Sequence, residues 1–144
     1  MGADGLVTLA SPYGSRETMD RLEAELTTKG LRIFARIDHA AGAAEAGLSL
    51  RPTEVLIFGN AKAGTPLMQS VQSIGIDLPL KALVWQDAAG ATWLSYNDPA
   101  WLAARHGVPA DMAVLGNMSA LLAAVTKAAT APPSASPPSQ AAPA

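Results

Sequence analysis

Two apolar runs, Pro79–Gln86 (PLKALVWQ) and Thr92–Tyr96 (TWLSY), are joined by the short stretch Asp87-Ala88-Ala89-Gly90. So short a connection, closing on a glycine, makes the two runs pair as a β-hairpin. The hairpin fixes at least part of the sheet as antiparallel, whatever the rest of the chain does.

The remaining elements follow from hydrophobic periodicity. Gly5–Ala10 (GLVTLA) alternates as a strand and is closed by the turn residues Ser11-Pro12-Tyr13-Gly14. Ser15 is expected to cap a helix reaching about Lys29, since Met19, Leu22 and Leu26 recur at helical spacing and Gly30 supplies a left-handed stop. In Leu31–Ile37 a period of two places Leu31, Ile33, Ala35 and Ile37 on one face. A short alanine-rich helix follows Asp38 and His39 and ends at Gly47; Glu54–Phe58 then reads as a central, fully covered strand. Gly59–Gly64 is expected as a loop, with Thr65 as N-cap and Pro66 as first residue of a helix that buries Leu67, Met68, Val71 and Ile74 and stops at Gly75. Asp98 caps a short helix, Ala100–Arg105, and a last helix fills about Asn117–Ala129.

Strands interleaved with helices, and a hairpin among them, imply a two-layer α+β domain over residues 3–129, its sheet mixed and partly antiparallel. Residues 130–144 end in APPSASPPSQAAPA, which has no large apolar side chain to offset its ordering entropy and is expected to be a disordered tail.

Hydrophobic residues make up 49% of the chain and charged ones 15%, a sparse charge for a solvated monomer surface. A subunit interface would cover some of that apolar surface, so a homo-oligomer, a dimer in the simplest case, is expected. The net charge of −2 and the singly scattered Lys and Arg argue against nucleic acid. The absence of cysteine removes disulfides, thiolate metal sites and cysteine nucleophiles. MGADGLVTLASPYG lacks the pattern of a signal peptide. Met112–Ala129 is interrupted by polar residues and falls short of the roughly 20 apolar residues of a membrane span, so a cytoplasmic protein without a membrane partner is expected.

The stretch from Phe34 to Gln69, followed by Ile76 to Gly107, resembles the domain of unknown function 302 family. That family has a Phe-x-x-x-x-His segment before a strand ending in a Gly-Asn-Pro-Lys-x-Gly-Thr-Pro-like loop, then a Leu-Pro-Lys strand and an aromatic hairpin. The corresponding residues here are Phe34 and His39; Gly59, Asn60, Lys62, Gly64, Thr65 and Pro66; Leu78, Pro79 and Lys81; and Trp85 and Tyr96, with Ala61 where a proline is common. The resemblance covers roughly residues 5–128 and implies a small α+β fold that tends to dimerise, with no reaction attached.

Two regions have the chemistry of a site. The Gly59–Pro66 loop joins a strand end to a helix start, where backbone N–H groups attract anions, and Asn60, Lys62, Gly64 and Thr65, with Lys81, would hold a small anion or ligand. It is not a nucleotide P-loop, since Thr65 stands where the lysine is required; the plainer reading is a tight turn and a helix cap. His39 would serve as a metal or haem ligand, with Trp85 and Met68 as walls of a cofactor pocket, or as an acid/base; the plainer reading is a cap for the helix that follows. His106, beside Arg105 at a helix end, reads as a dipole-complementing cation. No catalytic set can be assembled and no catalytic residue is assigned. The functional expectation is a small-ligand or cofactor-binding homodimer, with haem on His39 as one cofactor. The alternatives are an enzyme acting on a small anion, with His39 as acid/base and the Lys62 loop as anion site, and a purely structural dimer.

Overall fold

In the computed structural model, which describes residues 2–133, the hairpin forms as its connection requires: β4 (Leu80–Gln86) and β5 (Thr92–Asn97) pair antiparallel, Trp85 opposite Trp93, with Gly90 at φ 86° in the turn. Three further strands, β1 (Leu6–Ser11), β2 (Arg32–Asp38) and β3 (Thr53–Gly59), complete a sheet in the order β1-β5-β4-β3-β2. The helices are α1 (Ser15–Thr28), α2 (His39–Glu45), α3 (Ala61–Ser70), α4 (Pro99–His106) and α5 (Ala113–Thr130), and a 3₁₀ segment spans Gln72–Asp77.

The fold is α+β, and its sheet is antiparallel at every pairing rather than mixed. β1 and β2 do run in the same direction, but α1 carries the chain across to the far edge, so they are never neighbours. Helices α1 and α5 pack on each other and on one sheet face. Met19, Leu22 and Leu26 of α1 and Leu122, Val125 and Ala129 of α5 meet Leu56, Phe58, Val84 and Leu94, all fully buried or nearly so. Each large side chain in that layer is worth about 1.5–3 kcal/mol of burial.

β2 departs from its sequence pattern. A register shift between Ile33 and Ala35 lets Ile33 pair with Phe58 while Ala35 pairs with Ile57. The extra residue turns Ala35 and Ile37 to the face away from α1 and brings Arg36 round to the helix side. The expected single face of Leu31, Ile33, Ala35 and Ile37 is therefore split by the bulge.

Helix ends moved by small amounts for identifiable reasons. α1 is preceded by Gly14, whose carbonyl accepts the Thr18 N–H at 2.9 Å, so Ser15 is the first helical residue and not the cap. α5 begins at Ala113 and runs to Thr130, which is buried, and the Tyr13 hydroxyl donates to the Ala131 carbonyl at 2.7 Å. The tail expected beyond lies, from residue 134, outside the described residues.

Candidate ligand-binding pocket

β3 delivers its last residue, the buried Gly59, to the helix-bearing end of the sheet, and Asn60 then caps α3. The Asn60 Oδ1 accepts the Lys62 N–H at 2.8 Å, while its carbonyl accepts those of Ala63 at 3.0 Å and Gly64 at 2.9 Å. The helix therefore starts four residues before the expected Thr65 cap, and Pro66 lies inside it. Asparagine is among the strongest N-caps, and its local bonds outweigh the one backbone bond that Pro66 removes. The cap also answers three of the N–H groups that an anion was expected to use. α3 ends at Ser70 instead of running to Ile74, although Ile74 is still buried, through the 3₁₀ segment.

Beside this cap lies a cavity of about 500 Å³. Its floor is Gly59, Leu80 and Leu31, with Phe34 at the sheet edge. Gly64 and Met68 of α3 form one wall and Leu78 and Pro79 another; Val114, Met118 and Leu121 of α5 close it from across the helix layer. The polar groups are at the rim: Asn60, Asn117 and the lysines Lys29 and Lys62. No carboxylate lines the cavity, and neither lysine takes part in an ion pair among the described residues.

The predicted site residues are thus divided. Asn60, Lys62, Gly64 and Met68 come together in the cavity. Thr65 is exposed and outside the lining. Lys81 is paired with Ile57 on the opposite sheet face, and its Nζ donates to the Pro79 carbonyl at 3.2 Å. Trp85 is at the far end of the sheet, its ring 6.2 Å from that of Trp93 and its Nε1 donating to Ser95 Oγ at 3.0 Å.

His39 is at that far end too. It opens α2 as an exposed residue, and the cap is Asp38, whose Oδ1 accepts the Ala41 N–H at 2.9 Å. Along the β2–β3 pair the pocket end is Arg32 opposite Gly59 and the His39 end is Asp38 opposite Glu54, six residues apart on β2. At about 3.4 Å per residue the two ends are roughly 20 Å apart, so His39 and Met68 do not share a site. Among the described residues no three His, Asp or Glu side chains converge as a metal site.

His106 is half-buried and engaged on both nitrogens. Its Nδ1 is 2.9 Å from Ser73 Oγ, and its Nε2 meets Asp77 Oδ2, a carboxylate that Arg105 also grips at 2.9 Å. This cluster ties the end of α4 to the 3₁₀ segment that leads into Leu78 and Pro79 of the cavity wall. Sequence reasoning missed Lys29, Phe34 and the α5 wall. Only the Gly59–Pro66 segment, expected as a loop and found to be the Asn60 cap and first turns of α3, carried a local signal, since the α5 contribution depends on how helices stack across the sheet.

A family model described as "Domain of unknown function DUF302" matches residues 7–125. The chain is 52% identical over 112 residues to "Fluoride-specific ion channel FluC 1" of Brucella suis biovar 1 (strain 1330), covering 76% of this chain and 44% of that protein. It is equally similar to "Fluoride-specific ion channel FluC 1" of Brucella abortus biovar 1 (strain 9-941), of which 42% is covered. The chain thus spans less than half the length of the curated relatives it matches. The fold is that of the "Crystal structure of uncharacterized conserved protein DUF302 from Bacillus stearothermophilus", with a TM-score of 0.79 at 24% identity over 88% of this chain and 99% of that one.

Proposed function

The chain belongs to the DUF302 family, and we propose that it is a small-molecule-binding module that works as a homodimer. The observation carrying this reading is the apolar cavity beside the Asn60 cap, whose 500 Å³ falls in the size range of small-ligand sites. A binding module is preferred to the enzyme with His39 as acid/base, because an acid or base must come within hydrogen-bond reach of the group it serves. His39 is roughly 20 Å from Lys62 by strand geometry. The homodimer is supported by the second sheet face, where Val55, Ile57, Leu83, Trp85 and Trp93 are only half-buried, a surface suited to a subunit contact.

The Brucella relatives favour a more particular setting. They are named as fluoride channels, and the matched region is less than half of each. Among the described residues one helix, α5, is long and apolar enough to cross a membrane by length and composition, and its Leu115, Met118, Leu122 and Val125 are buried against the rest of the domain. In that setting the domain is the ligand-sensing part beside a separate membrane-embedded part.

The test is a fluorescence titration with Nile red, a neutral apolar dye, on wild type, Val114→Trp and His39→Ala. Saturable binding that Val114→Trp abolishes and His39→Ala leaves intact is the expected result. Retention by Val114→Trp would remove the pocket from consideration. Sedimentation of Ile57→Glu against wild type tests the dimer: a monomer is expected for the variant, and unchanged sedimentation overturns the assigned face.

A further inference from the structure

We infer that the pocket takes a single-chain amphiphile with an anionic head, the chemical class of a fatty carboxylate; this rests on the pocket reading above.

Three observations carry it. The interior is apolar: Leu31, Phe34, Leu78, Leu80, Val114 and Leu121 offer a tail no polar partner. A small hydrated anion such as acetate or inorganic phosphate would lose water there without replacing its hydrogen bonds, so charge alone does not make a ligand for this cavity. The rim, by contrast, carries Lys29 and Lys62, with Asn60 and Asn117 as further donors, and no acid. Two lysines that make no ion pair among the described residues line this apolar cavity, and their positive charge favours a negative head over a neutral one. Lys29 caps the C-terminal end of α1 and Lys62 sits in the first turn of α3, so the two lysines reach the lining of this cavity from different elements.

The third observation concerns the walls. Met68 of α3 and Met118 of α5 both line the cavity. Unbranched thioether side chains adapt to irregular shapes, which suits a flexible tail better than a rigid polycyclic ligand. No histidine or cysteine lines the cavity, so a planar metal macrocycle would lack the imidazole or thiolate that commonly holds its iron.

The test is calorimetric titration with three probes, on wild type, on a Lys29→Ala/Lys62→Ala double variant and on Val114→Trp. The probes are dodecanoate, dodecanol (the same tail without charge) and acetate (the charge without the tail). The expected result is 1:1 binding of dodecanoate, about 10-fold tighter than dodecanol, with no saturable binding of acetate. In the double variant dodecanoate falls about 10-fold while dodecanol is unchanged, and raising the salt weakens only dodecanoate. Equal affinity for dodecanoate and dodecanol, or saturable acetate binding, overturns the amphiphile assignment while Val114→Trp still abolishes binding and upholds the pocket. If no probe binds, or if Val114→Trp binds as wild type does, the pocket reading itself fails.

Discussion

Arg36 holds Glu54 by two parallel bonds, Nε to Oε2 at 2.9 Å and Nη2 to Oε1 at 3.1 Å, and its Nη1 reaches across to Asp20 of α1 at 2.7 Å. One guanidinium thus joins two neighbouring strands to the helix above them. Its hydrogen bonds to Glu54, and then to Asp20, outweigh the desolvation of burial and hold it protonated still more firmly than a free arginine. Lysine cannot reproduce the fork. Arg36→Lys is expected to destabilise the fold by about 1–2 kcal/mol in denaturant unfolding. A change within a few tenths of a kcal/mol would mean the pair contributes no more than an exposed one.

Gly5 is less replaceable than Gly30. Both have positive φ, 75° and 81°. A Cβ on Gly5 would overlap the Trp101 ring and come within 2.7 Å of the Trp101 Cβ, whereas one on Gly30 meets open space. Gly30→Ala should cost about 1 kcal/mol, the left-handed penalty alone, and Gly5→Ala at least about twice that. Thermal melts that rank the two equally would contradict the packing at Trp101.

Asp77 receives both Arg105 and His106, so removing its charge strands two donors at once. Asp77→Ala is expected to lower stability by about 2 kcal/mol and to speed hydrogen exchange in Gln72–Asp77 and at the end of α4. Exchange confined to unrelated segments would show that the cluster does not anchor the cavity wall.

The Asp87 carboxyl is held below the usual aspartate range, first by the Trp93 Nε1 bond at 2.8 Å and then by the Ala91 and Ala89 N–H groups. The folded state therefore prefers the ionised form. Its contribution is present above the unfolded pKa, about 4, and is lost as pH falls through the lower folded value. Asp87→Ala should melt below wild type at pH 7, with the gap closing under acid. A gap that stays constant with pH would mean the turn depends on the side chain's shape and not on its charge.

Local signals in the chain reached a long way. The hairpin, the α1 stripe of Met19, Leu22 and Leu26, and the Asp98 cap of α4 all follow from residues within a few positions of one another, and each forms where expected. Short-range geometry is enough to specify them. The Asn60 cap was equally local, yet Thr65-Pro66 offered a competing start. Choosing between them depended on whether α3 had to reach back to the end of β3, which is a matter of packing.

Sequence by itself determined the strands, most of the helices and the α+β class, because hydrophobic period and turn chemistry act over a few residues. Tertiary structure alone decided the wholly antiparallel sheet, the bulge that turned Arg36 inward, and the partners of each candidate residue. Crossovers and register set those. They separated His39 from Met68 along a whole strand length and brought Lys29, from the end of α1, to the same mouth as Lys62.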